Sequence, residues 1–215
     1  MEPIAKHLEA EGWHVENITL PGHGTHWRDL GRVRWTSWCA AVDQAIDDAK
    51  STAGSEKVAV VGLSMGGALA LRAAAMRTDI SRLVLVNPSL GLQHPLLPLI
   101  GVLKRIIPSI QNGGRPVNDP TVSYERYPRI PMAAVHELTK LWADINQRLD
   151  QVTTPLVIFR SLSDGSEGEW SSRQIMARSQ SEKKSEVILE LSGHAATVDY
   201  ESKFIAHTTL EFLGQ

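Results

Sequence analysis

Short apolar segments alternate with longer segments of helical periodicity along most of the chain. Several apolar segments show no alternation of polar and apolar residues, which is typical of strands buried on both faces of a parallel sheet. We predict strands at residues 13–20, 57–61, 82–86, 155–160 and 186–191. We predict helices at residues 3–10, 36–50, 66–77, 170–179 and 200–213, where apolar residues recur every three or four positions. This succession of strands and helices indicates an α/β fold with a mostly parallel sheet.

One long segment interrupts this alternation. Residues 89–151 are rich in proline, contain no clear strand, and have apolar residues grouped at helical spacing. We therefore predict a helical insertion between two parts of one core, at residues 1–88 and 152–215. An apolar insertion of this kind could form a lid over an apolar substrate, although an ordinary packed pair of helices gives the same pattern.

The segment at 58–70, V-A-V-V-G-L-S-M-G-G-A-L-A, combines an apolar strand, a glycine-rich turn and a helix. Its spacing around Ser64 is that of a nucleophile elbow, G-x-S-x-G. We expect glycine at positions 62 and 66 because the turn is tight, and a side chain there would collide with the strand or the helix. The backbone N–H of Met65, at the helix N-terminus, is a candidate oxyanion donor. An incidental serine in a β–α turn is the alternative, and a phosphate-binding loop is excluded because no G-K-[ST] follows Gly66.

Reactive side chains follow three of the predicted strands. Ser64 follows residues 57–61, Asp164 follows residues 155–160, and His194 follows residues 186–191. Because the carboxyl ends of parallel strands share one edge of the sheet, these residues are expected to lie close together. Serine needs a basic partner to become a nucleophile, and histidine needs a carboxylate to orient it. We predict Ser64 as nucleophile, His194 as general base and then acid, and Asp164 as the orienting carboxylate.

Other residues compete for these roles. Glu167 and Glu169 lie close to Asp164 in the sequence, and Asp199, near His194, is expected to cap the final helix. His23 and His26 resemble a metal-binding pair, but carboxylate ligands at suitable spacing are missing, so no metal site is predicted.

Composition narrows the function classes. The 215 residues carry a formal net charge of −2, which does not indicate binding to nucleic acid or to an anionic membrane. Cys39 is the single cysteine, so no intrachain disulfide can form. No apolar stretch approaches the ~18 residues that suggest a membrane span. The start of the sequence lacks a signal-peptide pattern, and we expect a cytoplasmic protein without stable membrane insertion.

Five motifs resemble the bacterial carboxylesterase and monoacylglycerol lipase branch of the α/β-hydrolases. They are G-L-S-M-G-G, L-P-G-H-G-T-H, L-V-L-V-N-P, Y-P-R-I-P-M-A-A-V and S-G-H-A-A-T-V-D. The resemblance covers nearly the whole chain. It implies hydrolysis of monoacylglycerols or short- and medium-chain esters through an acyl-serine, without a cofactor, and a triad of Ser64, Asp164 and His194. A small-molecule ester is the expected partner.

The chain departs from this family in two places. The family usually has a D-x-V-V-P-like run after its acidic residue, whereas Asp164 begins the sequence D-G-S-E-G-E-W. The family also has a strand ending in His-Gly before the helix at residues 3–10, and the loop after it supplies a second oxyanion N–H. We expect that the recorded start falls after that strand, leaving a gap beside residues 13–20. Two alternatives therefore stay open, a non-catalytic binding protein and an acyltransferase with the same triad.

Overall fold

A computed structural model of the protein describes residues 1–92, 94–113 and 116–214, with the side chains of all of these except residues 166 and 167. In chain order its strands are β1 (Val58–Leu63), β2 (Ile80–Val86), β3 (Ser109–Gln111), β4 (Arg129–Pro131), β5 (Leu156–Ser161) and β6 (Lys184–Leu189). Four of them form a parallel sheet in the order β1-β2-β5-β6, and β3 pairs with β4 separately. The predicted parallel α/β core is confirmed.

Helices cover both faces of this sheet. They are α1 (Glu2–Ala10), α2 (Trp27–Leu30), α3 (Trp35–Ala53), α4 (Met65–Met76), α5 (Ile100–Ile106), α6 (Met132–Asn146), α7 (Gly165–Arg178) and α8 (Ser202–Leu213). None of the helices in the described part is both long and apolar enough to span a bilayer.

Strand β2 shows why the central segments are apolar without alternation. Leu83 and Leu85 belong to an apolar cluster with α3, α4 and α6, whereas Val84 and Val86 belong to a second cluster with α1 and α8. All four side chains are fully buried. Because successive side chains of a strand point to opposite faces, a strand covered on both faces needs an apolar residue at every position.

The predicted strand at residues 13–20 is not formed. The segment has no regular secondary structure, and Trp13 and Ile18 are 41% and 36% exposed. Within the described residues β1 pairs with β2 alone, so residues 13–20 have no neighbouring strand to complete a ladder. An apolar and β-branched segment becomes a strand only where another strand accepts its hydrogen bonds.

The segment between β2 and β5 carries the helices α5 and α6, in line with the predicted helical insertion, but it also contains long loops and a short ribbon. Strands β3 and β4 pair antiparallel, with Ile110 opposite Ile130. Arg129 Nε donates to Ser109 Oγ at 2.8 Å, a bond that crosses the ribbon diagonally from one end to the other. The expectation of no strand in this segment was therefore wrong. The boundaries of the predicted lid at residues 89–151 stay a prediction.

Candidate active site

Ser64 occupies the sharp turn between β1 and α4. Its backbone has φ 55° and ψ −116°, a left-handed conformation that is costly for a residue with a side chain. Two hydrogen bonds to the end of β2 and the segment just after it hold it there: the Ser64 N–H donates to Val86 O at 2.9 Å, and the Ser89 N–H donates to Ser64 O at 3.1 Å. Although Ser64 stands at the N-cap position of α4, its hydroxyl makes no capping bond. The hydroxyl is thus available for chemistry.

The tight turn depends on glycine at one predicted position and not at the other. A Cβ on Gly62 would lie 2.4 Å from the backbone oxygen of Gly66, well inside any permitted contact. A Cβ on Gly66 would meet nothing within 4 Å, so the predicted collision there is wrong. The second tight contact is at Gly67, where a Cβ would lie 2.9 Å from Pro88 Cβ. The backbones of β1 and α4 therefore approach each other at Gly62, and α4 approaches the segment just after β2 at Gly67.

Asp164 and His194 come together at the carboxyl edge of the sheet. His194 Nδ1 lies 2.5 Å from Asp164 Oδ1. The Asp164 side chain is 11% exposed and that of His194 is 39% exposed. The carboxylate is thus largely shielded, while the imidazole reaches the surface of the site. With Nδ1–H donated to Asp164, Nε2 is left as a proton acceptor.

The competing carboxylates near Asp164 are placed differently. Glu169 forms an ion pair with Arg173, with 2.5 Å between the carboxylate and the guanidinium, and the Glu169 side chain is 46% exposed. The side chain of Glu167, the other candidate, lies outside the described residues. Among the described carboxylates, Asp164 is the one that contacts His194.

The three predicted residues share the carboxyl edge without yet forming one chain of hydrogen bonds. Within the described part of the protein, Ser64 Oγ makes no hydrogen bond to His194. Such contacts are often long without substrate and shorten when substrate binds. The N–H of Met65 begins α4 and has no intrahelical partner, which leaves it free to face a developing negative charge.

Asn87 is a residue of this edge whose role the sequence did not reveal. It is 1% exposed and has φ 43°, the second left-handed non-glycine residue among those described. Its side-chain amide donates to the carbonyl oxygen of His194 at 2.8 Å and to Ser161 Oγ at 2.9 Å. In the sequence, Asn87 belongs to the motif L-V-L-V-N-P directly after the predicted strand at residues 82–86, and no role was assigned to it. The available signal was its position: Asn87 is a polar residue directly after a buried strand, at the same edge of the sheet as the predicted site.

Asp199 does not cap the final helix, contrary to expectation. Helix α8 begins at Ser202, and the Asp199 carboxylate is buried at 3% exposure. It accepts backbone N–H groups from Gly193 at 2.7 Å, Asn118 at 2.7 Å and Asp119 at 2.8 Å. Burial raises its pKa, but these backbone donors outweigh burial and hold the pKa below its usual range. Asp199 therefore joins the histidine loop to the insertion.

The remaining candidate ligands do not gather into a metal centre. His26 accepts the Arg28 N–H and caps α2, and His23 contacts Pro21 O at 3.3 Å. Among the described residues no group of three potential metal ligands occurs. Cys39 is buried, and burial raises the pKa of its thiol to about 11, so it is a small core residue with little thiolate.

Comparison with known proteins adds the family. A family model described as serine aminopeptidase, S33 (Hydrolase_4), matches residues 1–201. The chain belongs to this hydrolase family. It is 31% identical over 217 aligned positions to the thermostable monoacylglycerol lipase of Bacillus sp. (strain H-257), covering 100% of this chain and 85% of the lipase. It is 22% identical to the carboxylesterase of Bacillus subtilis (strain 168), covering 98% of this chain and 85% of that enzyme.

A solved structure supports the fold of this hydrolase. The structure comes from a report on LipS and LipT, two metagenome-derived lipolytic enzymes, and matches with a TM-score of 0.91 at 25% identity. The match covers 98% of this chain and 85% of that chain. The predicted α/β-hydrolase fold is confirmed.

Proposed function

We propose that this hydrolase cleaves small carboxylic esters through an acyl-serine intermediate, with Ser64 as nucleophile, His194 as base and Asp164 as orienting carboxylate. The observation that carries the proposal is the 2.5 Å contact between His194 and Asp164 at the sheet edge where Ser64 is held. Ester hydrolysis is also the reaction named for the Bacillus relatives.

The residues account for each proton in such a reaction. His194 Nε2 takes the proton of Ser64 Oγ as the oxygen attacks the acyl carbon, and Asp164 stabilises the resulting imidazolium. The Met65 N–H faces the oxygen that becomes negative. When the C–O bond of the ester breaks, the imidazolium gives its proton to the departing alcohol. Water then attacks the acyl carbon while His194 Nε2 takes its proton, and as the bond to Ser64 Oγ breaks the imidazolium returns this proton to Ser64 and the carboxylic acid leaves.

The insertion supports an apolar acyl group as part of the substrate. Its first residue, Ser89, binds the Ser64 backbone, so the following residues leave from beside the nucleophile. Large apolar side chains are exposed along the next stretch: Leu92 (40%), Leu96 (49%), Leu99 (54%), Val102 (59%) and Ile106 (73%). Monoacylglycerols and esters of short or medium chain length combine an apolar acyl chain with a small alcohol. We propose them as the substrate class.

A fluorophosphonate probe tests the nucleophile directly, because it reacts with an activated serine. We expect labelling of the wild-type protein, no labelling of Ser64→Ala, and hydrolysis of p-nitrophenyl butyrate that is lost in His194→Ala. Folded wild-type protein that neither labels nor hydrolyses would refute the proposal and favour a non-catalytic binding protein.

Substrate panels separate the related activities. Monoolein and p-nitrophenyl butyrate represent esters, and an aminoacyl p-nitroanilide represents the peptidase chemistry in the family description. Faster turnover of the anilide would contradict ester specificity. Product analysis with added glycerol identifies acyl transfer, which would give glyceride in place of free acid.

A further inference from the structure

The side chain of Asn87 links the segment that holds Ser64 to the loop that carries His194. We propose that Asn87 is a positioning residue that fixes His194 relative to Ser64. This inference rests on the proposed function. It assigns to Asn87 no contact with substrate and no proton transfer.

One end of this link is fixed to the nucleophile. Asn87 lies between Val86, whose carbonyl accepts the Ser64 N–H, and Ser89, whose N–H donates to Ser64 O. The Asn87 N–H itself donates to Phe159 O at 2.8 Å, which continues the pairing of β2 with β5. The backbone of Asn87 is therefore held between the nucleophile turn and the centre of the sheet.

The other end of the link is fixed to the histidine loop. The Asn87 amide nitrogen donates to His194 O at 2.8 Å and approaches Gly193 O at 3.3 Å. Ser161 Oγ donates to the same Gly193 carbonyl at 2.9 Å. In the sheet order β2-β5-β6, these bonds reach from the end of β2 past β5 to the loop after β6. They hold the backbone of His194 at the edge of the sheet where Ser64 lies.

The orientation of the Asn87 amide follows from its partners. The Ser161 N–H donates at 2.8 Å to Asn87 Oδ1. A backbone N–H can only donate, so the oxygen of the amide must face it and the nitrogen must face the histidine loop. Only a carboxamide of this length supplies an acceptor and two donors together. Aspartate has the same shape but supplies no donor when ionised.

The backbone conformation restricts this position further. Asparagine is among the few residues that tolerate φ 43°. Glycine tolerates it better but lacks the amide, which makes Asn87→Gly a substitution that removes the link without adding backbone strain. Asn87→Asp keeps the shape and removes the donors.

The link matters for catalysis because the imidazole has few other restraints. His194 is 39% exposed, and its ring makes one hydrogen bond in the described structure, to Asp164. If the carbonyl of His194 is released, Nε2 can move away from Ser64 Oγ while the fold persists. A displacement of about 1 Å in such a constellation can cost on the order of 10²-fold in rate.

The experiment compares Asn87→Gly and Asn87→Asp with Val84→Ala. Val84 lies on β2, three residues before Asn87, is fully buried and faces the cluster with α1 and α8, so its truncation lowers stability without changing the link. We expect both Asn87 variants to lose about 10- to 100-fold in kcat on p-nitrophenyl butyrate, with KM within about threefold. Val84→Ala should keep kcat within about twofold at a similar loss of Tm.

A second readout does not require turnover. The proton shared by His194 Nδ1 and Asp164 should give a low-field NMR signal in the wild-type protein, and we expect the signal to shift or broaden in both Asn87 variants but not in Val84→Ala. If the Asn87 variants do not fold, Ser161→Ala takes their place. It removes the hydroxyl that binds Gly193 O and should lower kcat about threefold or more.

These readouts separate the two proposals. An active wild-type enzyme whose folded Asn87 variants, or Ser161→Ala in their place, keep kcat within about twofold would overturn the role of Asn87. Wild-type protein without labelling or turnover would instead refute the proposed function. In that case an unchanged His194 signal in the variants would still overturn the link.

Discussion

Gly62 and Gly66, the glycines on either side of Ser64, should respond oppositely to a single added methyl group. A Cβ at position 62 would lie 2.4 Å from Gly66 O and 2.7 Å from Gly67 N, both backbone atoms that cannot rotate away. Ordinary contacts begin near 3.4 Å, so the turn in Gly62→Ala must open by about 1 Å. That movement displaces Ser64, which lies between these two segments.

The expected magnitude follows from that displacement. Forcing a methyl group into a filled space typically costs about 1–3 kcal/mol of stability. Moving a nucleophile by about 1 Å can cost on the order of 10²-fold in rate. Gly66→Ala should do neither, because the methyl group meets nothing within 4 Å. Alanine is instead favoured over glycine in a helix by up to about 1 kcal/mol, so this variant should be as stable as wild type or more so.

Chemical unfolding and steady-state hydrolysis of p-nitrophenyl butyrate measure both effects on the same preparations. We expect Gly62→Ala to lose stability and kcat together, and Gly66→Ala to keep kcat. A change confined to KM in Gly66→Ala would place the added methyl group next to the substrate. Equal damage from the two substitutions, or wild-type kcat in Gly62→Ala, would refute the reasoning from backbone contact.

Two further predictions concern carboxylates. Asp164→Asn should lower kcat by about 10⁴-fold because the amide favours the wrong histidine tautomer. Glu169→Gln is the matched control and should leave kcat near wild type. Similar losses of kcat in both variants would contradict the assignment of Asp164. The lowered pKa of Asp199 means that its hydrogen bonds stabilise the fold above the usual aspartate pKa, and that this contribution disappears as the pH falls through the lowered value. Urea unfolding should therefore show Asp199→Asn to be less stable than wild type by about 1.5–3 kcal/mol at pH 7, with a gap that narrows in acid, and a gap independent of pH would count against this role.

The core and the placement of Ser64, Asp164 and His194 at one edge of the sheet could be predicted because each rests on a local pattern. An uninterrupted apolar run such as residues 82–86 indicates burial on both faces, and a glycine-flanked serine after such a run indicates a sharp turn. The position of Asp164 and His194 after later strands follows from the geometry of parallel sheets. Local sequence was sufficient because each strand can be recognised by itself. Once the strands form a parallel sheet, their carboxyl ends meet at one edge and bring the distant residues together.

The features that sequence missed depend on partners far away in the chain. Residues 13–20 are rich in strand-forming residues, but a strand needs a neighbouring strand to accept its hydrogen bonds, and among the described residues none lies beside this segment. Asp199 is a residue type that often caps helices, yet its carboxylate oxygens accept backbone N–H groups from positions 118, 119 and 193. Asn87 was overlooked for the same reason, since its amide acts on a carbonyl at position 194.

The bonds from Asp199 to the insertion have a consequence for exchanging the insertion with that of a relative. Asn118 and Asp119 are held by the carboxylate that also binds Gly193, and Pro116 O accepts the Ala195 N–H at 2.8 Å. Residues 116–119 of the insertion are therefore hydrogen-bonded to the loop that carries His194 and help to hold it in place. A graft that replaces the whole of residues 89–151 would remove part of the support of His194. Grafts that keep residues 116–119 would leave that support intact, so the insertion is modular only in part.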